Sequence, residues 1–156
     1  MKKLLSIAVL LAGVAIIFSS CGKYEDGPKI SLKSKKARVA AEWVVEKTYF
    51  NDTEQTLDGD EQYYIMALEK DGTGKYIVEA HTDSEGNAVA GGEAEIEWEF
   101  DEDNLKIRTR MKFGDAWSDW GDYTEITRLK ENELWTKDTE EFGGVTSVYE
   151  VHYVKK

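Results

Sequence analysis

Glu93-Ala-Glu-Ile-Glu-Trp-Glu-Phe100, Asp101-Glu-Asp-Asn104, Leu105-Lys-Ile-Arg-Thr-Arg-Met-Lys-Phe113: residues 93–113 alternate apolar and charged side chains on either side of an acidic break. Successive side chains of a strand point to opposite faces, so a period of two marks a sheet with one face enclosed. Ala94, Ile96, Trp98 and Phe100 share one face, and Leu105, Ile107, Thr109, Met111 and Phe113 share the matching one. The other face carries four glutamates on the first segment and Lys106, Arg108, Arg110 and Lys112 on the second. The two segments therefore form a hairpin. The shortest closure, over residues 102–103, sets Glu99 opposite Lys106, Glu97 opposite Arg108, Glu95 opposite Arg110 and Glu93 opposite Lys112. Opposite charges facing each other across a pair of strands favour this kind of register. A slip of one residue would turn the whole apolar set into water.

Working outward from this hairpin, the same period recurs and no stretch keeps a helical period for long. Glu42 to Phe50 holds Trp43, Val45 and Tyr49. Gln62 to Glu69 puts Tyr64, Met66 and Leu68 on one face. Asp71-Gly-Thr-Gly74 turns the chain into Lys75 to Thr82, and Asp83 to Gly92 is a loop. Tyr123 to Lys130, Glu133 to Asp138 and Val145 to Val154 complete the set. About eight strands with short connections imply antiparallel neighbours, and eight such strands can close on themselves and lose their edges. The expected fold is all-β, an eight-stranded antiparallel up-and-down barrel. A two-sheet sandwich competes, but it needs a long crossover that the connections do not supply.

The chain has 156 residues, enough for one domain. Lys2 and Lys3 precede an apolar run from Leu4 to Phe18, and Ser19-Ser20 then abut Cys21, the only cysteine. A positive start, a short apolar stretch and small residues make a secretory signal, too short and wrongly flanked for a transmembrane span. Residues 1–20 read as a lipoprotein leader, 21–38 as a lipidated tether and 39–156 as the β-domain. Fatty-acyl chains such as palmitate on the Cys21 thiol would anchor the protein to a membrane. This reading predicts a cell-envelope protein, an outer-membrane lipoprotein that is periplasmic or surface-exposed. Glu25-Asp26 after the cysteine suits either a surface-export signal or a polar tether. Lys29 to Arg38 carries five bases and no acid, which suits a solvated linker or an arm drawn to anionic lipid.

Acids outnumber bases 31 to 20 over the whole chain, and residues 39–156 alone carry a formal charge of −17. Such a surface argues against nucleic acid as a partner, because phosphate binding needs clustered Lys and Arg. One cysteine excludes an internal disulfide, and two histidines, His81 and His152, argue against a metal centre. No Gly-x-Ser-x-Gly elbow or other catalytic constellation is present, so no enzyme and no cofactor are expected. Asp58-Gly-Asp60-Glu61 and Asp101-Glu-Asp-Asn104 offer oxygen ligands, but ordinary turn chemistry explains both.

A tryptophan at the start of the first strand of a secreted eight-strand meander resembles the lipocalin-like domains of Bacteroidota lipoproteins. The likeness rests on Lys23-Tyr-Glu-Asp-Gly-Pro28, Ser34-Lys-Lys-Ala-Arg38 before Trp43, Asp71-Gly-Thr-Gly74, Trp98 before an acidic turn, Tyr123-Thr-Glu-Ile126, and Leu134-Trp135. It implies that Trp43 plugs the base of the barrel. Ala41 stands where lipocalins have a glycine, and no arginine after the last strand matches the one that covers that tryptophan.

Eighteen aromatic side chains are the most informative candidates for function. Trp43, Tyr64, Trp98, Tyr149 and Tyr153 are expected on the enclosed face, either lining a pocket for a small hydrophobic or amphipathic ligand or filling a solid core. Trp117 and Trp120 read as loop residues that flank a barrel mouth, cover it, or meet a partner. Two functions follow: a ligand-binding barrel, or a filled barrel that presents loops to an envelope protein or glycan. In either case the domain is expected to be monomeric.

Overall fold

A computed structural model describes residues 33–57 and 59–156. The lipidation site read at Cys21 lies outside the described residues, and so does Asp58. The elements are α1 (Lys35–Val39), β1 (Glu42–Phe50), β2 (Thr53–Gln55), a 3-10 turn (Glu61–Tyr63), β3 (Tyr64–Leu68), β4 (Thr73–Val78), β5 (His81–Thr82) and β6 (Ala88–Val89). They continue with β7 (Gly92–Phe100), β8 (Lys106–Phe113), β9 (Ala116–Trp117), β10 (Thr124–Leu129), β11 (Glu133–Phe142) and β12 (Val145–Lys155).

Among the described residues, eight strands pair in the order β1-β3-β4-β7-β8-β10-β11-β12, and β12 pairs back onto β1. Every pairing is antiparallel and each strand neighbours the next long one in the chain. This is the closed up-and-down barrel that the alternation predicts, and closure removes the exposed edges of an open sheet. The short strands are additions: β2 folds back on β1, β5, at the end of the segment expected as one strand to Thr82, pairs with β6 from the segment expected as loop, and β9 runs along β8.

The β7–β8 hairpin keeps its charge pairing but not the predicted register. Glu97 faces Arg110 and Glu99 faces Arg108, two residues away from the expected partners. The cause lies in the turn. A two-residue closure takes a type I′ or II′ turn, and either needs positive φ at Glu102, which glutamate resists. The chain instead places Asn104 at φ 55, and the Asp101 carboxylate accepts the N–H groups of Leu105 (2.7 Å) and Lys106 (3.0 Å). The longer turn shifts the pairing by one full pleat, so the faces are unchanged.

One end of the barrel is solid. Ser34 caps α1, its hydroxyl accepting from the Ala37 N–H at 3.2 Å, and the helix lies across the barrel base with Arg38 and Val39 buried. Trp43 is fully buried beneath it and donates from its indole N–H to the Val39 carbonyl at 2.7 Å. Leu68, Ile96, Trp98, Ile107, Ile126, Leu129 and Leu134 complete this core. The Trp98 indole donates to the carbonyls of Glu69 (2.9 Å) and Thr73 (3.1 Å), so the Asp71–Gly74 turn is built around it. Gly74 in that turn has no room for a side chain, since a Cβ would lie 2.4 Å from the Ala67 carbonyl oxygen. Asp71 accepts from the hydroxyl and N–H of Thr73, and these hydrogen bonds hold its carboxyl below the usual range. The Lys156 N–H donates to the Glu42 carbonyl at 3.0 Å, which brings the last residue to the same closed end.

Two bulges re-aim side chains. One, between Val45 and Lys47 in β1, turns Tyr49 to the outer face, where it meets His152. The other, between Ile126 and Arg128, lets Ile126 and Leu129 both enter the core while Arg128 faces out. Strand β11 runs four residues past its predicted end, so the β11–β12 hairpin carries Phe142 and Val145 at an exposed tip.

Candidate functional site

The alternation that fills the base leaves space nearer the mouth. A cavity of about 270 Å³ is lined by Trp43, Val45, Tyr64, Met66, Tyr76, Val78 and Tyr153, together with Ile65 and Ile77. A second, of about 130 Å³, includes Ile107, Thr109, Thr124, Leu134 and Thr136 in its lining. Met66, Tyr76 and Tyr153 border both, so these three side chains form the partition between two compartments of one lumen. The walls are mainly apolar, with hydroxyl groups concentrated around the partition. That is the usual composition of a small-molecule site.

Tyr153 is the polar centre of the lumen. Burial pushes its phenol up to about 12, the neighbouring Tyr76 phenol and the Asp138 charge adding to the effect, while a hydrogen bond from Thr136 opposes it. The group stays protonated at neutral pH and offers one hydroxyl to the lumen. Tyr64 stands at the rim, 49 % exposed. Behind it, Tyr63 stacks on His81 with ring centroids 4.2 Å apart, and Tyr64 meets the same imidazole edge-on at 6.0 Å. The His81 Nδ1 lies 2.8 Å from the Glu79 carbonyl, which can only accept, so Nδ1 carries the proton and Nε2 faces the Asp60 carboxylate at 3.8 Å. These contacts tie the 3-10 turn to the β5–β6 hairpin beside the rim.

The predicted aromatic residues divide into three groups. Trp43, Tyr64 and Tyr153 border the lumen. Trp98 faces inward but is packed into the solid base, away from both cavities. Tyr149 sits above them, 45 % exposed and packed on Phe50 at 4.9 Å. Trp117 and Trp120 are not at the mouth. The segment carrying them runs along β8, with Trp117 opposite Lys112, Ser118 donating to the Met111 carbonyl at 2.8 Å and Gly121 to the Thr109 carbonyl at 3.0 Å. Their rings lie on the outer wall. Arg110 stacks between Trp117 (5.1 Å) and Trp120 (4.7 Å), and Arg108 between Trp120 (5.0 Å) and Tyr123 (4.4 Å). Glu97 and Glu99 bind the same two guanidinium groups from β7. The stack thus packs an irregular strand onto the barrel.

Sequence reasoning did not single out Met66, Tyr76, Val45 or Val78 as lumen residues. Tyr76 and Val78 could have been placed by alternation within Lys75 to Val78. The second histidine, His152, stacks on Trp135 at 3.8 Å on the outer wall, and the Arg128 guanidinium lies over that indole at 4.2 Å. The Asp101 cluster is occupied in its own turn, as its hydrogen bonds describe. Among the described residues no group of three or more His, Cys, Asp or Glu side chains is placed to hold a metal ion.

No family model matches the sequence, and no curated protein matches it. Solved structures similar to it include two bovine proteins. The odorant-binding protein from bovine nasal mucosa has a TM-score of 0.41 and 11% identity, covering 81% of this chain and 77% of that one. A deswapped triple mutant of bovine odorant-binding protein has a TM-score of 0.38 and 12% identity, covering 79% and 75%. The strand pairing itself defines the architecture: a closed eight-stranded meander with a helix and a buried tryptophan at its base, a lipocalin-like barrel.

Proposed function

We propose that this protein is a lipid-anchored envelope protein whose barrel binds a compact hydrophobic or amphipathic ligand in its lumen. The two-compartment cavity carries the reading. At about 270 and 130 Å³ it is small against the roughly 300–1,000 Å³ usual for ligand sites, so a one- or two-ring molecule suits it better than a sterol or an extended fatty acid. Residues that close the base also fix the lumen walls, so the site is preformed. Anchoring through Cys21, with location in the outer membrane, rests on the leader-like residues 1–20 and the lone cysteine that follows them.

Filling the lumen tests the binding reading. Val78→Trp should abolish saturable binding of small aromatic probes, read by calorimetry and thermal shift, while the far-ultraviolet spectrum remains that of the wild type. Unchanged binding in the folded variant would sink the reading. Replacing Cys21 with Ala tests the anchor: the acyl mass should vanish and the protein should leave the membrane fraction.

A second reading has its own observation. Phe142 is 90 % exposed at the tip of the β11–β12 hairpin and Val145 is 66 % exposed beside it. An apolar tip on an acidic domain favours contact with an envelope partner. Deleting the tip side chains by Phe142→Ser and Val145→Ser should then lower recovery of that partner after cross-linking in cells, without changing ligand binding.

A further inference from the structure

We propose that the free edge of β11, from Asp138 to Phe142, takes an extended basic segment of another protein as an added strand. The proposal rests on the tip reading above and gives the partner its chemistry. Strand β10 begins at Thr124 and pairs with β11 only as far as Lys137, whereas β11 and β12 stay paired out to Phe142 and Val145. Asp138 to Phe142 are all exposed, and among the described residues they have no strand on the β10 side. At about 3.4 Å per residue this edge is about 17 Å long, the length of an ordinary strand.

The direction of the backbone groups follows from the turn. Gly143 and Gly144, at φ 60 and 80, form a two-residue hairpin turn, and its closing pair, Phe142 and Val145, exchanges both hydrogen bonds. Alternation then commits Glu140 and Asp138 to β12 and turns the N–H and C=O of Thr139 and Glu141 to the open side. A cleft lies there, between Thr139–Glu140 and Asp122–Tyr123. Charge selects the partner. Asp138, Glu140 and Glu141 are on the edge, and Asp122 lies across the cleft. The two bases of the cleft, Lys106 and Lys137, are both cross-strand partners of Glu125, where β10 is still paired. A second copy of the edge would set acids against acids and be repelled. Lysines at the facing positions pair with those acids, and an apolar residue at the far end covers Phe142.

The test titrates the purified, isotope-labelled protein with the blocked peptide Thr-Ile-Lys-Lys-Thr-Lys-Thr, written to run antiparallel from Phe142 to Asp138. A counterpart carries glutamate for each lysine. By nuclear magnetic resonance the lysine peptide should saturate and the glutamate peptide should not. Amide exchange of Thr139 and Glu141 should slow about tenfold when the edge is about nine-tenths filled, while Asp138 and Glu140 change little. Thr139→Pro removes an N–H that β12 does not use and should weaken the lysine peptide about tenfold. Thr139→Val keeps that N–H and should bind as the wild type does. If the proline variant unfolds, the exchange pattern of the wild type decides. Saturation by the glutamate peptide, none by the lysine peptide, binding that leaves both amides as fast as before, or equal affinity in a folded Thr139→Pro would each overturn the added strand. Slowing of the same amides on raising the protein concentration alone would overturn the basic partner in favour of a second copy. None of these outcomes decides the tip reading, which stands or falls on cross-linking of the Phe142→Ser and Val145→Ser variant.

Discussion

Arg110 lies over the Trp120 indole, 4.7 Å from the ring centroid, while its Nε donates to the Glu97 carboxylate at 2.7 Å. One guanidinium thus joins β7, β8 and the irregular segment before β10. A planar guanidinium can lie flat on a ring while its N–H groups hydrogen-bond in their own plane, a geometry that an ammonium group does not have. The barrel needs such a clamp here, because β8 and β10 share only two regular pairs, Thr124 with Ile107 and Glu125 with Lys106.

Trp120→Ala removes the ring shared by Arg108 and Arg110. Cation–π contacts at such sites contribute about 0.5–1 kcal/mol each, so the variant should lose about 1–2 kcal/mol in urea denaturation. Probe affinity should be unchanged, since the ring lies outside the lumen. A large loss of affinity at full folding would place Trp120 in the site after all.

The register of the β7–β8 hairpin can be read by charge reversal. Glu97→Lys and Arg110→Glu should each destabilise, and the double variant should recover about 0.5 kcal/mol of coupling. The pair Glu97 and Arg108, adjacent in the shorter closure, should couple less. Stronger coupling for the second pair would favour the shorter turn.

Gly74→Ala should be among the costliest single methyl additions in the protein. Its Cβ would stand 2.4 Å from the backbone oxygen of Ala67, and backbone cannot swing aside as a side-chain end can. A loss of about 2 kcal/mol or more is expected from equilibrium unfolding. Gly92→Ala, with open space around it, is the control and should be near neutral.

Tyr153 predicts an alkaline limb in stability. Its folded-state value, about 12, is above the ordinary value near 10, so the folded protein holds this proton more tightly than the unfolded chain. The associated stability is fully present below about pH 10 and is lost as pH rises towards 12, on the order of 2–3 kcal/mol. Chemical denaturation across that window should show the loss, and Tyr153→Phe should flatten it. An equal slope in Tyr153→Phe would assign the limb to other groups.

The parts of the molecule that follow a two-residue period were legible in the sequence. Ile96, Trp98 and Ile107 stand on the predicted face because charge marks the opposite one so clearly. The register was missed because it depends on which residue accepts a left-handed backbone, and Asn104 does so more readily than Glu102 or Asp103. Tyr49 could not be placed, since a bulge arises from the curvature of the closed sheet rather than from local pattern. Trp120 lies outside any strand, as read, whereas Trp117 belongs to β9, a strand of two residues that is too short to leave a period. Trp43 and Tyr153 were legible as enclosed aromatics, while Tyr64 shares their face but reaches the exposed rim. Whether they enclose space or fill it depends on how Met66 and Tyr76 pack between them, which no periodicity encodes.

Lys33, paired with Glu131 in the β10–β11 turn, and Lys156, bonded to Glu42, both lie at the foot of the barrel. A support coupled at Lys33 would therefore sit nearer the foot than the rim. Immobilising it through a tag after Lys156 would preserve the same attitude. Soluble molecules would then reach Tyr64 and the rim without passing the supporting surface, and a sensor chip made either way should report the same on-rate for a small probe.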